Sequence, residues 1–321
     1  MSTTLNSGID PASFSAVTGP AQDLFRYVNG PWIDMYRLPD DRSRYGSFDK
    51  LAEDAENQIR EILEDDDCPA EKSHALYASF LDVDAINASG LAAIEDQLKA
   101  IDVAADKAEL TRSLGAMNPA GGPDLIGIAV YGDPGAPETN IIHIEQSGLG
   151  LPDEAYYRED HYAPIREAYV DMVAKQLKNA KLAADDEQAE AQAQRFLDVE
   201  TRIAANHWDN VATRDSVKTY NPTDYAELSG MLADYDLDTW IESWQSAYDQ
   251  TSAAQVQPLD FRGIFNHVVV HEPSFLTGLN AFWKAADLDD LKLWARVHVI
   301  IGSTLELPHE FDETNFEFYG K

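Results

Sequence analysis

The spacing of apolar residues along the chain predicts a mainly helical protein. From Ser47 onwards, apolar residues recur at steps of four, four and three, which places on one helix face Leu51, Ala55, Ile59 and Ile62. We predict Ser47 as the N-cap, because its hydroxyl can accept a free backbone N–H and Asp49 follows in the first turn. The acidic residues 64–67 and Pro69 predict the end of this helix. We interpret the acidic run as a solvated linker rather than a metal site.

Other segments repeat the helical spacing. Asp23 to Val28 begin a helix that Gly30-Pro31 is expected to interrupt. The three-and-four spacing returns between Pro69 and Asn118, and a long helix is predicted from near Glu159, followed by an alanine-rich one that runs toward Trp208. Shorter helices are predicted over 225–232, 239–244 and 276–283.

Two short runs have the composition of strands. Residues 125–131 and 140–144 are rich in Ile, Val and Leu, and residues 132–137 between them are glycine, proline, alanine and aspartate. The pattern predicts a hairpin with a long, rigid connection. Val268-Val269-Val270 is a third β-like run. The predicted fold class is therefore mainly α with a small β-hairpin or sheet.

Composition narrows the classes of function. The 321 residues are enough for two domains or one large one, and 44% are hydrophobic, so the chain should fold. Lys and Arg total 24 against 57 Asp and Glu, a net charge of −33. Nucleic acid and membrane surfaces recruit proteins through clustered Lys and Arg, so neither is an expected partner.

The same sequence predicts a cytoplasmic protein. Cys68 is the one cysteine, so neither an intramolecular disulfide nor a cysteine-rich metal cage can form. The first ten residues lack the basic start and apolar core of a signal peptide, and no stretch of 18 apolar residues occurs.

Motifs of catalysis are scarce. His267 and His271 flank three valines, but the order differs from the HExxH zinc motif, in which glutamate follows the first histidine. Valines favour a strand, where residues four apart lie roughly 13 Å apart, so the two histidines are not expected to share one ion. No phosphate-binding or nucleophile-elbow motif occurs. A helical enzyme that uses carboxylates, with Asp49 and Glu272 as candidates, stays open.

Three segments carry motifs longer than those considered so far. The first, residues 23–32, reads DLFRYVNGPW, the second, 39–49, reads PDDRSRYGSFD, and the third, 143–157, reads HIEQSGLGLPDEAYY. Together they resemble the amino-terminal half of the neprilysin-type zinc metallopeptidases, the family of endothelin-converting enzyme and bacterial oligopeptidase O. Their order and spacing match the family as well. The resemblance spans nearly the whole chain.

The resemblance implies an architecture and a missing part. It implies a helical lid domain plus partial segments of a thermolysin-like catalytic domain. Residues 1–65 would be a leading segment and helix that pack on the catalytic domain, and 66–321 the mostly helical lid, with a hairpin near 124–146. In the family HExxH and the zinc ligands lie in the carboxyl-terminal half, outside this sequence, so no cofactor is predicted for this chain alone. Asn280-Ala281-Phe282 spells the family's substrate-binding tripeptide, which we interpret as coincidence.

The resemblance also implies a substrate site. By position in the second segment, Arg44 would bind the free carboxylate of a short peptide, while Phe48 and Asp49 would shape the S2′ pocket. A guanidinium can hold a carboxylate through two charge-assisted hydrogen bonds. The basic residue that the family has three positions after this Asp is Ala52 here. The alternative for Arg44 is a salt bridge within this acidic protein.

The leading hypothesis is therefore the lid and substrate-cavity portion of a zinc metallopeptidase that hydrolyses short peptides, inactive without its carboxyl-terminal catalytic half. The alternative is a stand-alone, non-catalytic peptide-binding protein with the same lid fold. A cluster of aromatic residues near the end of the sequence is expected to pack against something outside it, namely Phe311, Phe316, Phe318 and Tyr319.

Overall fold

The computed structural model describes residue 9 and residues 11–40, 42–65 and 68–320. The chain divides into two compact units, one that runs through His74 and a larger one, Ala75–Gly320. Each unit is described by itself below. No helix in the described ranges is both long and apolar enough to cross a membrane.

The first unit contains helix α1, Leu24–Met35, which continues through Pro31. The expected interruption at Gly30-Pro31 is therefore wrong. Proline has no N–H to donate to the carbonyl four residues earlier, and this normally breaks a helix. Here the carbonyl of Tyr27 instead accepts the backbone N–H of Ser15 at 2.7 Å, so it is not left without a donor. Asp23 caps the helix, because its side chain accepts the N–H of Arg26.

The second helix of this unit, α2, spans Ser47–Glu64. The predicted end at the acidic run is confirmed, but Asp66 and Asp67 lie outside the described residues. The predicted cap is wrong: Gly46 holds the N-cap position, Ser47 is already helical, and no side chain caps the helix. In the described part of this unit only Gly30 and Cys68 are buried, so neither helix contributes a side-chain core of its own.

The chain passes into the second unit within α3, Glu71–Leu81. The helices predicted between Pro69 and Asn118, and the long helix and alanine-rich helix predicted after Glu159, are confirmed. The remaining helices are α4 Val83–Ser89, α5 Glu95–Val103, α6 Lys107–Met117, α7 Ala155–Arg158, α8 Ala163–Asn179, α9 Asp186–Ala204, α10 Tyr225–Met231, α11 Leu237–Tyr248, α12 Ser252–Val256, α13 Phe261–Ile264, α14 Pro273–Ala285, α15 Leu288–Gly302 and α16 His309–Tyr319.

A four-stranded mixed sheet also lies in the second unit. Its strands are β1 Ile126–Asp133, β2 Ala136–Gln146, β3 Asn221–Asp224 and β4 His267–Val270, in the order β1-β2-β4-β3. The hairpin β1–β2 is antiparallel, β2 and β4 are parallel, and β4 pairs antiparallel with β3. The mainly helical fold with a small sheet is thus confirmed.

The hairpin connection differs from the expectation of a long loop. Only Pro134 and Gly135 separate the two strands, because the ladder continues past Gly132 after a register shift. The carboxylate of Asp133 accepts the N–H of Gly135 at 2.8 Å and the hydroxyl of Tyr220 at 2.7 Å. These two bonds hold the turn where sequence composition alone indicated a longer connection.

The core of the second unit is aromatic and aliphatic, built from α5, α6, α8, α9, α11, α14 and α15 around the inner face of the sheet. Its largest fully buried side chains include Trp240, Trp283, Trp294, Tyr169 and Phe196. Burial of this much apolar surface is the main contribution to stability.

The expectation that the aromatic residues near the end of the sequence pack against something outside it is wrong for Phe311 and Phe318, whereas Phe316 and Tyr319 are each nearly half exposed. Phe311 is fully buried, Phe318 packs against the core, and the Tyr319 hydroxyl donates to the carbonyl of Gly150 at 3.1 Å. Helix α16, which carries them, packs on α8. Phe316 is half exposed.

Candidate functional site

The segment between α1 and α2 is held by stacked aromatic rings. The ring of Tyr36 lies 4.7 Å from that of Trp32 and 4.6 Å from that of Tyr45, with interplanar angles of 22° and 29°. Trp32 and Tyr45 stack on each other at 5.9 Å. Such contacts contribute beyond simple burial, so the three rings fix the loop that leads into α2.

A hydrogen bond ties the same loop to α2. The hydroxyl of Tyr45 donates to the carboxylate of Glu53 at 2.7 Å, and Arg42 lies 3.8 Å from the same carboxylate. The bond to Glu53, with burial and the negative charge of Glu53 adding to it, raises the pKa of Tyr45 to about 12. Tyr45 therefore stays a hydrogen-bond donor throughout the physiological range. These contacts position the backbone next to Arg44.

The structure places the three expected site residues at the amino-terminal end of α2. Arg44 is exposed in the loop before the helix, Phe48 is 87% exposed in the first turn, and Asp49 is half-buried there. Among the described residues Arg44 has no ion pair, and no hydrogen bond joins the three side chains. Asp49 is favoured at this position because the helix dipole attracts a negative charge to the first turn.

The apolar face of α2 is uncovered along its length. Four of its large apolar side chains are more than half exposed, namely Phe48, Leu51, Ile59 and Ile62, whereas Leu63 is partly buried. The apolar periodicity predicted the helix correctly, but the apolar face has no core against which to pack in the described part of its own unit. We name these four residues the α2 apolar face.

A buried carboxylate organises the third motif of the sequence. Glu200 of α9 is fully buried, and its two oxygens accept the N–H of Gly150 at 2.9 Å and the hydroxyl of Tyr157 at 2.8 Å. His298 of α15 lies 2.8 Å from the same carboxylate. Burial, then the charge of Glu200, raises the pKa of Tyr157 far above its ordinary value. Neither Glu200 nor His298 stands out in the sequence, since no local pattern joins residues so far apart.

His267 and His271, the histidines at metal-ligand spacing, do not form a metal site with the other described residues. His267 lies on β4 and is exposed, whereas His271 follows the strand and contacts His143. No group of three or more His, Cys, Asp or Glu side chains suited to a metal ion occurs among the described residues. The donor set that zinc requires, three or four such ligands around one ion, is therefore not offered by the residues that the structure describes.

The tripeptide Asn280-Ala281-Phe282 has a structural role. The side-chain oxygen of Asn280 accepts the N–H of Asp234 at 2.7 Å and that of Tyr235 at 3.2 Å, and Phe282 is buried. The amide group thus fixes the turn before α11 from its place on α14.

Comparison with known proteins gives consistent matches. The model of Peptidase family M13 matches residues 20–321. Human neprilysin is 25% identical over 321 aligned residues, which cover 91% of this chain and 42% of neprilysin. Endothelin-converting enzyme 1 of Cavia porcellus is 23% identical, with 88% of this chain and 38% of that protein covered.

A solved structure matches nearly the whole chain. The zinc metalloprotease Zmp1 of Mycobacterium tuberculosis, in complex with an inhibitor, superposes with a TM-score of 0.85 at 32% sequence identity. The match covers 98% of this chain and 47% of that one. The chain therefore spans about half the length of the relatives it matches.

Proposed function

The chain belongs to peptidase family M13, as its amino-terminal region, and from this membership we propose that it forms the lid and substrate cavity of a zinc metallopeptidase that hydrolyses short peptides. The similarity to Zmp1 over 98% of the chain carries the proposal. The hydrolytic chemistry would come from a carboxyl-terminal half like the half of Zmp1 that this chain does not cover. The location we propose is the cytoplasm, on the basis of composition.

Exposed apolar residues of the first unit support the proposal that this unit packs on the catalytic half. Phe48, Leu51, Ile59 and Ile62 expose a continuous apolar stripe, and the described part of the unit buries almost nothing. Exposed apolar patches of this kind typically mark an interaction surface. We propose that the α2 apolar face packs on the catalytic half and that residues 1–65 belong with that domain.

Arg44 is the proposed anchor for the substrate. It is exposed, has no ion pair among the described residues, and lies in a chain with 33 more acidic than basic charges. An exposed guanidinium without an ion pair is free to attract a peptide carboxylate, which it can bind through a bidentate pair. Phe48 and Asp49, in the first turn of α2, would line the pocket.

Hydrolysis and zinc content of the isolated chain test the main proposal. We expect the purified 321-residue chain to bind no stoichiometric zinc by elemental analysis and to leave short peptides intact. A chelator-insensitive cleavage of peptides by the metal-free chain would overturn it. The coding sequence beyond Lys321 gives an independent check, because a following HExxH-bearing half is expected.

Arg44→Ala tests the substrate anchor in an enzyme that contains both halves. We expect KM for peptides with a free carboxylate to rise by roughly tenfold or more, since a charge-assisted pair contributes about 1.5–3 kcal/mol. Peptides with an amidated end should change little. Arg60→Ala is the matched control, because Arg60 is also exposed and lies on α2. Equal effects on both kinds of peptide would contradict the assigned role.

The alternative, a stand-alone peptide-binding protein, rests on the same exposed Arg44. It requires that the chain alone bind free-acid peptides at micromolar concentration or below, with the binding lost in Arg44→Ala. Isothermal titration with free-acid and amidated versions of one peptide distinguishes the two proposals. Binding by the chain alone supports the alternative, and its absence supports a site completed by the catalytic half.

A further inference from the structure

Two histidines from distant parts of the sequence share one hydrogen bond at the sheet. Nδ1 of His143, on β2, lies 2.8 Å from Nε2 of His271, the residue after β4. The ring centroids are 5.1 Å apart with an interplanar angle of 67°. His143 is only 4% exposed, and its Nε2 is buried without a hydrogen-bond partner. The parallel pairing of β2 with β4 brings the two side chains together.

The groups around the pair come from every neighbouring strand. From β1, the ring of Tyr131 meets that of His143 edge-on at 5.3 Å. Asp133 ends the same strand, and its pKa is lowered chiefly because it accepts the hydroxyl of Tyr220, with a smaller contribution from charge on His143. From β2, an oxygen of Glu145 lies 3.8 Å from Nδ1 of His271. After β4 comes the buried Glu272, and from β3 the side chain of Asn221 donates to the carbonyl of His271.

The hydrogen bond can exist in two of the three protonation states of the pair. In the neutral pair, one ring nitrogen donates its hydrogen to the lone pair of the other. With one proton added, the bond becomes charge-assisted, and Glu145 can stabilise the positive charge on His271. With two protons, both facing nitrogens carry hydrogen, so the bond is lost and two like charges meet, one of them buried.

We propose that His143 and His271 form an acid-sensitive latch that fastens β2 to β4 and opens when the second proton binds. Burial lowers the pKa of His271, and although the charge of Glu145 opposes this shift, His271 is held neutral near pH 7. The latch lies where the two strands end. The backbone N–H of His271 donates to the carbonyl of Ile144 at 2.8 Å, and the N–H of Gln146 donates to Glu272 at 3.0 Å.

Opening of the latch would reach the loop that follows β2. The side chain of Gln146 both donates to and accepts from the backbone of Trp208, and His207 contacts the carbonyl of Ser147 at 3.0 Å. Residues 143–147 therefore contact residues 271–272 and also residues 207–208. Both sets of contacts depend on the position of β2. Loss of the latch is expected to loosen this junction while the helical core stays closed.

Hydrogen exchange of the 321-residue chain tests the latch. After correction for the intrinsic rate, we expect the amides of residues 142–144 and 268–271 to exchange at least about tenfold faster at pH 4.5 than at pH 7, because local opening sets their exchange. Amides of α8 and α9 should keep their protection. An unchanged rate in the two strands, or equal loss of protection throughout, would overturn the proposal.

Substitutions distinguish the pH response of the histidine pair from that of neighbouring titratable groups. Gln at position 271 can still hydrogen-bond His143 but has no charge to gain, so His271→Gln should reduce the pH response to about twofold or less. His161→Gln is the control, because His161 is exposed and its contacts are with Glu159 and Tyr162 rather than with the pair. Glu272→Gln addresses the other group that titrates here, since burial raises the pKa of Glu272 to about 7. If Glu272→Gln abolishes the response and His271→Gln does not, the latch is wrong.

Ring NMR supplies a readout that needs no variant. In long-range ¹H–¹⁵N spectra of the unaltered chain, the ring nitrogens of the two histidines should titrate in two coupled steps, the second at lower pH. The strand amides should lose protection with the second step. Two independent titrations with one shared midpoint would contradict the latch even if the His271 variant failed to fold.

Discussion

At the scale of single residues, removal of the Glu200 carboxylate should strongly destabilise the second unit. It is fully buried, and three donors converge on its carboxylate, from Gly150, Tyr157 and His298. Removing one partner of a buried network leaves the others unsatisfied, and the penalty far exceeds the net value of each bond. The loop that contains Gly150 is therefore held by a side chain fifty residues away in the sequence.

Glu200→Ala is expected to lower the free energy of unfolding by about 3–5 kcal/mol, since it leaves buried donors without an acceptor. Glu200→Gln should cost less, because the amide oxygen can still accept the N–H of Gly150. The measurement is urea unfolding followed by circular dichroism. Glu190→Ala, on the exposed face of the same helix, should change little. Equal effects at positions 190 and 200 would refute the role of the buried network.

At the scale of elements, local patterns predicted those helices whose apolar face and ends lie in one stretch of sequence. Helices α2, α8 and α9 follow from spacing alone, and the valine run predicted β4. The start of α1 followed from its pattern as well, but its continuation through Pro31 did not, because there the carbonyl of Tyr27 accepts the N–H of Ser15, well outside the helix. Strand β3 has no strand composition and exists because β4 supplies its partner.

The candidate site, too, could be predicted only in part. The resemblance identified the segment with Arg44, Phe48 and Asp49, but nothing local pointed to the aromatic stack of Trp32, Tyr36 and Tyr45 that fixes it. The His143–His271 contact was equally hidden, because the pairing of β2 with β4 joins residues 128 positions apart. Contacts of this kind follow from topology, which periodicity does not encode.

At the scale of the whole molecule, burial is distributed very unevenly between the two units. The contiguous core runs from Ile94 to Phe311, entirely within Ala75–Gly320. The described part of the first unit buries only Gly30 and Cys68 and leaves the α2 apolar face open. Independent folding requires a core that outweighs the loss of conformational entropy. The second unit satisfies this requirement by itself, whereas the first does not.

A chain that begins at Glu71 should therefore fold without the first unit. We expect a single cooperative thermal transition within a few degrees of that of the 321-residue chain, because the shorter chain keeps the whole core. Leu279→Ala, in the fully buried part of α14, serves as the probe, since a core Leu→Ala change costs about 2–5 kcal/mol. It should lower Tm by the same amount in both chains. Loss of cooperative unfolding in the shorter chain, or a much smaller effect of Leu279→Ala there, would show that residues before Glu71 are needed to complete the core.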